Sequence, residues 1–86
     1  MMQIQLKFFA SLREAVGTGQ ESLTVPTELK TAGQVRELLR QRGGVWAQAL
    51  AEGRAVRIAC NQEMADASTL ISDGCELAFF PPVTGG

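Results

Sequence analysis

The chain begins and ends in segments whose apolar residues alternate with period two, and this limits its possible folds more than any other feature. Residues 3–8 read Gln-Ile-Gln-Leu-Lys-Phe, and residues 75–80 read Cys-Glu-Leu-Ala-Phe-Phe. Such alternation is typical of a strand that buries one face. A chain of 86 residues has room for one modest core, because so small a domain removes only about 60% of its unfolded surface from water. We therefore expect one small sheet with a helical cover.

One segment between these strands has the pattern of an amphipathic helix. Thr31 and Gln34 have the spacing of a capping box, and an apolar stripe with helical period follows them. The stripe consists of Ala32, Val35, Leu38 and Leu39. Gly43 and Gly44 are expected to stop this helix.

Shorter elements are predicted on either side of the main helix. A helical turn is predicted to start at a second capping box, formed by Ser11 and Glu14, and to end at Gly17. Strands are predicted at 21–25 and 56–60, and a short helix at 46–52. Turns are expected at Asn61-Gln62 and Asp73-Gly74, with a loop between them. The predicted fold is α+β, with one main helix and a short second helix packed on one face of the sheet.

Several classes of function are disfavoured by what the chain lacks. It has no histidine, which removes histidine acid–base chemistry and imidazole metal ligands. Its two cysteines, Cys60 and Cys75, are too few for a structural zinc site and are expected to be inert buried residues. We expect no metal and no tightly bound cofactor.

The charge and the hydropathy of the chain point to a protein of the cytoplasm. A net charge of -1 argues against nucleic acid and anionic lipid as partners. No apolar run approaches the roughly 20 residues that span a bilayer, and the first residues lack the layout of a signal peptide.

Two large apolar residues fall out of phase with the predicted core. If the terminal strands continue regularly, Phe9 and Phe80 project from the face opposite Phe8 and Phe79. Met64, just after the predicted turn, is placed to join them. Exposed apolar residues that gather together usually mark a partner surface. The alternative is a bulge that returns one phenylalanine to the core.

The last six residues are expected to form an extended tail outside the globular domain. The domain is predicted to span residues 1–80 and the tail residues 81–86, which read Pro-Pro-Val-Thr-Gly-Gly. Two prolines disfavour helix, and the tail can reach about 20 Å. Its glycine tip suits a narrow channel and leaves the terminal carboxylate as its reactive group, once activated by a reaction such as adenylation. A terminal Gly-Gly alone is also compatible with a frayed end.

Three segments together resemble the small subunits of molybdopterin synthase, a family of ubiquitin-like sulfur carriers. They are residues 8–14 (Phe-Phe-Ala-Ser-Leu-Arg-Glu), Asn61-Gln62 and the terminal residues 73–86. Residues 18–54 match mainly in pattern, and relatives commonly have an acidic residue at the position of Cys75. The resemblance implies the β-grasp fold, a mixed sheet in which the first and last strands are parallel neighbours.

The resemblance also implies a chemical role for Gly86. An adenylyltransferase related to ubiquitin-activating enzymes would adenylate it with ATP, and a persulfide donor would convert it to a thiocarboxylate. The tail, formed by Pro81, Pro82, Val83, Thr84 and Gly85, would carry it into the large synthase subunit. There the sulfur would pass to cyclic pyranopterin monophosphate to build molybdopterin. The chain would act as a sulfur-donating co-substrate, with its acid–base groups supplied by the large subunit.

The same resemblance implies a docking surface formed by Phe9, Met64, Phe80 and Arg13. It also implies an assembly of two small and two large subunits. Other functions remain open from the residues: sulfur carriage for thiamin or for tRNA thiolation, a protein modifier joined to lysines through Gly86, and a binding module without covalent chemistry.

Overall fold

A mixed sheet of five strands, with helices on one of its faces, forms the protein. The computed structural model describes residues 1–82. The elements, in chain order, are β1 (Met2–Phe8), α1 (Ala10–Val16), β2 (Gln20–Val25), α2 (Ala32–Arg40), α3 (Gly44–Ala49), β3 (Arg57–Cys60), β4 (Glu63–Ala65) and β5 (Glu76–Phe80). None of these helices is long and apolar enough to cross a membrane.

The first and last strands lie side by side in the sheet. The strand order is β2-β1-β5-β3-β4. β1 runs parallel to β5, with Leu6 opposite Leu77 and Phe8 opposite Phe79. The other neighbouring pairs are antiparallel. The predicted α+β class and the parallel pairing of the terminal strands are therefore confirmed.

One strand was not predicted from the sequence. Residues 63–65 were expected to belong to a loop, but they form β4, which pairs with β3 through a tight turn. Asn61 and Gln62 make this turn with φ values of 51° and 68°. Two consecutive left-handed residues give the turn the twist that a two-residue hairpin needs, so the chain folds straight back into a strand.

The capping box of α2 is confirmed. The Thr31 hydroxyl accepts a hydrogen bond from the Gln34 N–H at 3.2 Å, and the Gln34 side chain accepts one from the Thr31 N–H at 3.0 Å. The loop at 66–70 crosses the same helix end. There the Gly33 N–H donates to the carbonyl of Ala67 at 2.9 Å. The bonds of the Thr31 and Gly33 N–H groups satisfy donors that have no partner inside the helix.

The second predicted capping box was wrong. α1 begins at Ala10, before Ser11, and its N-cap is Phe9, which makes no side-chain cap. The reason is that the chain passes from β1 into α1 with no intervening loop, so Ser11 already lies inside the helix. α1 ends at Gly17, whose φ is 82°, as predicted.

The short helix α3 also differs from its predicted bounds of 46–52. It starts two residues earlier, at Gly44, and ends at Ala49. The guanidinium of Arg36 donates to the carbonyl oxygens of Leu50 and Ala51 at 2.9 and 2.6 Å. These bonds satisfy carbonyls just beyond the end of the helix and stabilise the early stop.

The core lies between the sheet and the helices. The rings of Phe8 and Phe79 stack with their centroids 6.0 Å apart. Trp46 meets Phe8 edge to face at 5.3 Å and lies, partly buried, at the border of the core. The largest fully buried side chains are Phe8, Phe79, Ile4, Leu6, Leu39, Leu50, Leu77, Val25 and Val35.

Candidate docking surface

The face of the sheet opposite the helices carries a row of small and apolar residues. Because side chains alternate along a strand, the residues between the core positions point to this face. The register places Met64 beside Ala59, Ala59 beside Ala78, and Ala78 beside Lys7. The two alanines make the middle of the row flat. We call the surface formed by Met64, Ala59, Ala78, Phe9 and Phe80 the docking face, and Lys7 lies at its border.

Phe9 is held at the edge of this face by its backbone. Its N–H donates to the carbonyl of Phe79 at 3.2 Å, and its carbonyl accepts from the N–H of Leu12 at 3.1 Å. The side chain remains 47% exposed. The next residue, Ala10, has a φ of 52°, a conformation that costs an alanine of order 1 kcal/mol. This sharp turn lets Phe9 follow the buried Phe8 without entering the core.

Phe80 ends β5 on the same face. It lies opposite Arg57 in the register and is half-buried, whereas the preceding Phe79 is fully buried. The predicted alternation at this end of the chain is therefore confirmed. Since Phe8 and Phe79 are paired across parallel strands, the residues that follow them, Phe9 and Phe80, lie at the same end of the sheet.

Met64 occupies the far end of the row. It lies in the edge strand β4 and is 66% exposed. Its exposure follows from the turn at 61–62, which sets β4 in register with β3 and leaves Met64 opposite Ala59. The docking face thus contains the three apolar residues predicted to form a partner surface. Two strands, β5 and β3, lie between Met64 in β4 and Phe9 at the end of β1.

Arg13 lies beside Phe9 on α1. It is exposed, and within residues 1–82 its guanidinium makes no hydrogen bond or ion pair. An open hollow of about 330 Å³ is lined by Lys7, Phe8, Phe9, Arg13, Gly19 and Gln20. Lys7 is the second cation of this hollow and lies 3.8 Å from the Glu76 carboxylate. The structure therefore places a cationic border next to the apolar docking face.

The two cysteines lie away from this surface chemistry. Cys75 is 3% exposed, so it is buried, and Cys60 is half-buried opposite Leu77. Burial raises the pKa of the Cys60 thiol, and the neighbouring Cys75 raises it further. A thiol with a raised pKa is a poor nucleophile at neutral pH. The predicted burial is thus confirmed for Cys75 and wrong for Cys60, while the inertness of both thiols stays a prediction.

Only the start of the predicted tail falls within the described part of the chain. Pro81 and Pro82 directly follow Phe80 and are half-buried. Val83, Thr84, Gly85 and Gly86 lie outside the described residues. Their predicted insertion into a partner and the predicted chemistry at Gly86 remain predictions, as does the division into a domain at 1–80 and a tail at 81–86.

Some residues of the surface were not singled out from the sequence. Ala59 and Ala78 form the flat centre of the docking face, and Lys7 and Gly19 line the hollow beside it. The alanines could have been found, since each alternates with a residue of the core, Ile58 or Phe79. The position of Gly19 could not, because its contact with Arg13 depends on how α1 packs beside β2.

Comparison with known proteins places this arrangement in a family. Residues 6–86 match the model described as the ThiS family. The chain is 40% identical over 83 residues to the molybdopterin synthase sulfur carrier subunit of Haemophilus influenzae, an alignment that covers 96% of this chain and 99% of the relative.

Solved structures share the fold. The small archaeal modifier protein 1 of H. volcanii superposes with a TM-score of 0.76 at 25% identity, covering 96% of this chain and 100% of that one. A chain from the complex of subunits 1 and 2 of molybdopterin-converting factor of Helicobacter pylori gives a TM-score of 0.67 at 22% identity, covering 99% of this chain and 100% of that one. The ubiquitin-like β-grasp fold implied by the sequence resemblance is thereby confirmed.

Proposed function

The chain belongs to the ThiS family, and on that premise we propose that it is the sulfur carrier subunit of a molybdopterin synthase. The observation that carries the proposal is the 40% identity to a sulfur carrier subunit over almost the full length of both chains. The docking face supports it, because a carrier has to bind other proteins that perform the chemistry. The described residues offer the surface for such binding, and among them there is no group of three or more His, Cys, Asp or Glu residues that could hold a metal ion.

The proposed chemistry takes place at the carboxylate of Gly86. This carboxylate attacks the α-phosphate of ATP in the active site of an adenylyltransferase, and pyrophosphate leaves. The terminal sulfur of a persulfide then attacks the acyl carbon, and AMP leaves. A thiol cleaves the resulting acyl disulfide, which leaves a thiocarboxylate on Gly86 and a disulfide on the donor side. Transfer of this sulfur to cyclic pyranopterin monophosphate, with water supplying the oxygen, restores the carboxylate.

The partners follow from this sequence of steps. The large synthase subunit and the adenylyltransferase would each hold the docking face and receive residues 81–86 in a channel. Glycines at 85 and 86 suit such a channel, since they add no side chain to the backbone. We further propose that two small and two large subunits assemble and that the protein acts in the cytoplasm. ATP is consumed by the partner and is not bound by this chain alone.

Removal of Gly86 provides the first test. The shortened chain should fold with an unchanged melting temperature but gain no sulfur when incubated with the adenylyltransferase, ATP and a persulfide donor. Intact mass spectrometry would detect the replacement of one oxygen by sulfur in the wild-type chain and the loss of that sulfur as molybdopterin forms. Deletion of Met1, which is 89% exposed, is the matched control and should leave the transfer intact. Sulfur transfer without Gly86 would disprove the proposal.

A protein modifier is the second candidate. The likeness to a small archaeal modifier protein favours it. In that case Gly86 would be found joined through isopeptide bonds to lysines of other proteins, and discharge of the thiocarboxylate would not require cyclic pyranopterin monophosphate. Sulfur that is discharged only to other small acceptors would instead assign the carrier to thiamin synthesis or tRNA thiolation.

A further inference from the structure

Gly19 approaches the side chain of Arg13 more closely than another residue could. A methyl group in place of its hydrogen would lie 3.0 Å from Nε and 3.2 Å from Cζ of Arg13. Carbon and nitrogen atoms in van der Waals contact ordinarily stand about 3.5 Å apart or more. The guanidinium therefore lies against the bare backbone at the start of β2.

The backbone at Gly19 does not itself require glycine. The left-handed glycines in residues 1–82 are Gly17, Gly43, Gly44 and Gly74, and Gly19 is not among them. Its carbonyl accepts a hydrogen bond from the Phe8 N–H at 3.0 Å, a contact that any residue could make. A side chain at this position would therefore displace the Arg13 guanidinium from where it lies.

Within residues 1–82, Arg13 differs from the arginines of α2 and its C-terminal end in having no polar partner. Arg36 donates to backbone carbonyls, Arg40 pairs with Glu37, and Arg42 pairs with Glu21. Within residues 1–82 the contact with Gly19 takes the place of such a partner for Arg13. The missing side chain leaves room for the guanidinium in the hollow beside Phe9, where Lys7 is the other charged residue of the lining.

We propose that Gly19 is a positioning residue for partner binding: its missing side chain lets Arg13 lie where it receives a carboxylate side chain of the partner protein next to the docking face. The inference rests on the proposed function for the identity of that partner. Lys7 pairs with Glu76, so Arg13 is the cation of this hollow that has no ion-pair partner within residues 1–82, and its charge is complementary to an acidic side chain of a partner. A guanidinium also binds a carboxylate through two parallel hydrogen bonds if its orientation is fixed.

The test compares two glycine variants. Gly19→Ala adds a methyl group against Arg13, whereas Gly53→Ala adds one where no heavy atom lies within 4 Å. Neither residue has a positive φ, and Arg13 is flexible enough to move aside, so both variants should fold with wild-type or slightly raised stability. We expect Gly19→Ala to weaken binding of the large synthase subunit about three- to tenfold, and Gly53→Ala to leave it unchanged.

A double-mutant cycle isolates the contact. Arg13→Gln should weaken binding at least as much as Gly19→Ala, and adding Gly19→Ala to Arg13→Gln should cause no further loss. The defect of Gly19→Ala should also shrink as the salt concentration rises, because the lost interaction is ionic. Equal losses from Gly19→Ala in the wild-type and Arg13→Gln backgrounds would overturn the proposal.

A measurement without any partner separates this inference from the proposed function. In the free protein, NMR relaxation of the Arg13 Nε–H group should show restricted motion. This motion should increase in Gly19→Ala and stay unchanged in Gly53→Ala. Unrestricted motion of the Arg13 side chain in the wild-type protein would overturn the positioning role. If this motion is restricted but the large subunit does not bind the wild-type chain, the proposed function fails while the contact itself stands.

Discussion

Gly33 shows how a single contact can reverse the usual effect of a residue on helix stability. Replacement of a helical glycine by alanine ordinarily stabilises a helix by about 1 kcal/mol. At Gly33, however, the new methyl group would lie 2.9 Å from Cβ and 3.0 Å from the carbonyl oxygen of Ala67. The backbone of residue 67 cannot withdraw without lengthening its 2.9 Å hydrogen bond to the Gly33 N–H. The loop at 66–70 therefore depends on this glycine.

We expect Gly33→Ala to destabilise the protein by about 1–2 kcal/mol, since the overpacking outweighs the gain in helix propensity. Chemical denaturation monitored by circular dichroism would measure the difference. Gly53→Ala serves as the control, because its methyl group meets no heavy atom within 4 Å. A Gly33→Ala protein more stable than the wild type would show that the loop moves aside at little cost.

At the scale of elements, Arg42 connects three parts of the chain. It follows the C-terminal end of α2, pairs with the carboxylate of Glu21 in β2, and lies with its guanidinium carbon 4.5 Å from the ring centroid of Trp46 in α3. The hydrogen bond and the charge of Arg42 lower the pKa of Glu21, against a smaller opposing effect of burial. The ion pair thereby ties the edge of the sheet to the helices.

The lowered pKa of Glu21 predicts a dependence of stability on pH. A carboxylate whose pKa is lower in the folded state stabilises the fold above its unfolded-state pKa, and this contribution is lost as the pH falls through the folded-state pKa. Glu21→Gln should therefore lower the free energy of unfolding by about 1 kcal/mol or less at neutral pH. The gap between the variant and the wild type should close on acidification from about pH 6 to pH 3.

Urea titrations at several pH values would measure this gap. Glu14→Gln is a suitable control, because Glu14 is exposed and has no ion-pair partner within residues 1–82. A difference between Glu21→Gln and the wild type that stays constant down to pH 3 would show that the ion pair contributes nothing through its charge.

The sequence predicts those elements whose signals are local. The capping box at Thr31 and the alternation that places Phe80 on the face opposite Phe79 depend on residues close in the chain, and both predictions are confirmed. β4 was missed, because three residues are too few for a period and their pairing depends on the turn at Asn61 and Gln62. Ser11 was misassigned as a cap since the direct passage from β1 into α1 is a tertiary feature.

For the whole molecule, the sheet separates stability from binding. One face supplies the core, and the other presents the docking face with its exposed or half-buried residues Phe9, Met64 and Phe80. A change on the docking face should therefore affect partners more than folding. The same separation explains why Phe9 and Phe80 could be found by asking which large apolar residues were out of phase with the core.

Phe80→Asp tests this separation. We expect it to weaken binding of the large synthase subunit at least tenfold, because the loss of a main apolar contact of an interface typically lowers affinity by this much. The variant should remain folded. Val45→Asp is the matched control, because Val45 is 49% exposed but lies on α3, on the helical side of the sheet. Isothermal titration calorimetry would compare both variants with the wild type. Unchanged binding by Phe80→Asp would remove this residue from the interface.

The central position of β5 also has a mechanical consequence. β5 is flanked by β1 on one side and β3 on the other, and residues 81–86 continue directly from it. A pulling force applied at the C-terminal end acts along β5 and loads the hydrogen bonds to both neighbours at once, in shear, instead of opening them one after another. The proposed carrier would thus resist traction on its last residues, as an enzyme that draws a substrate into a narrow channel requires.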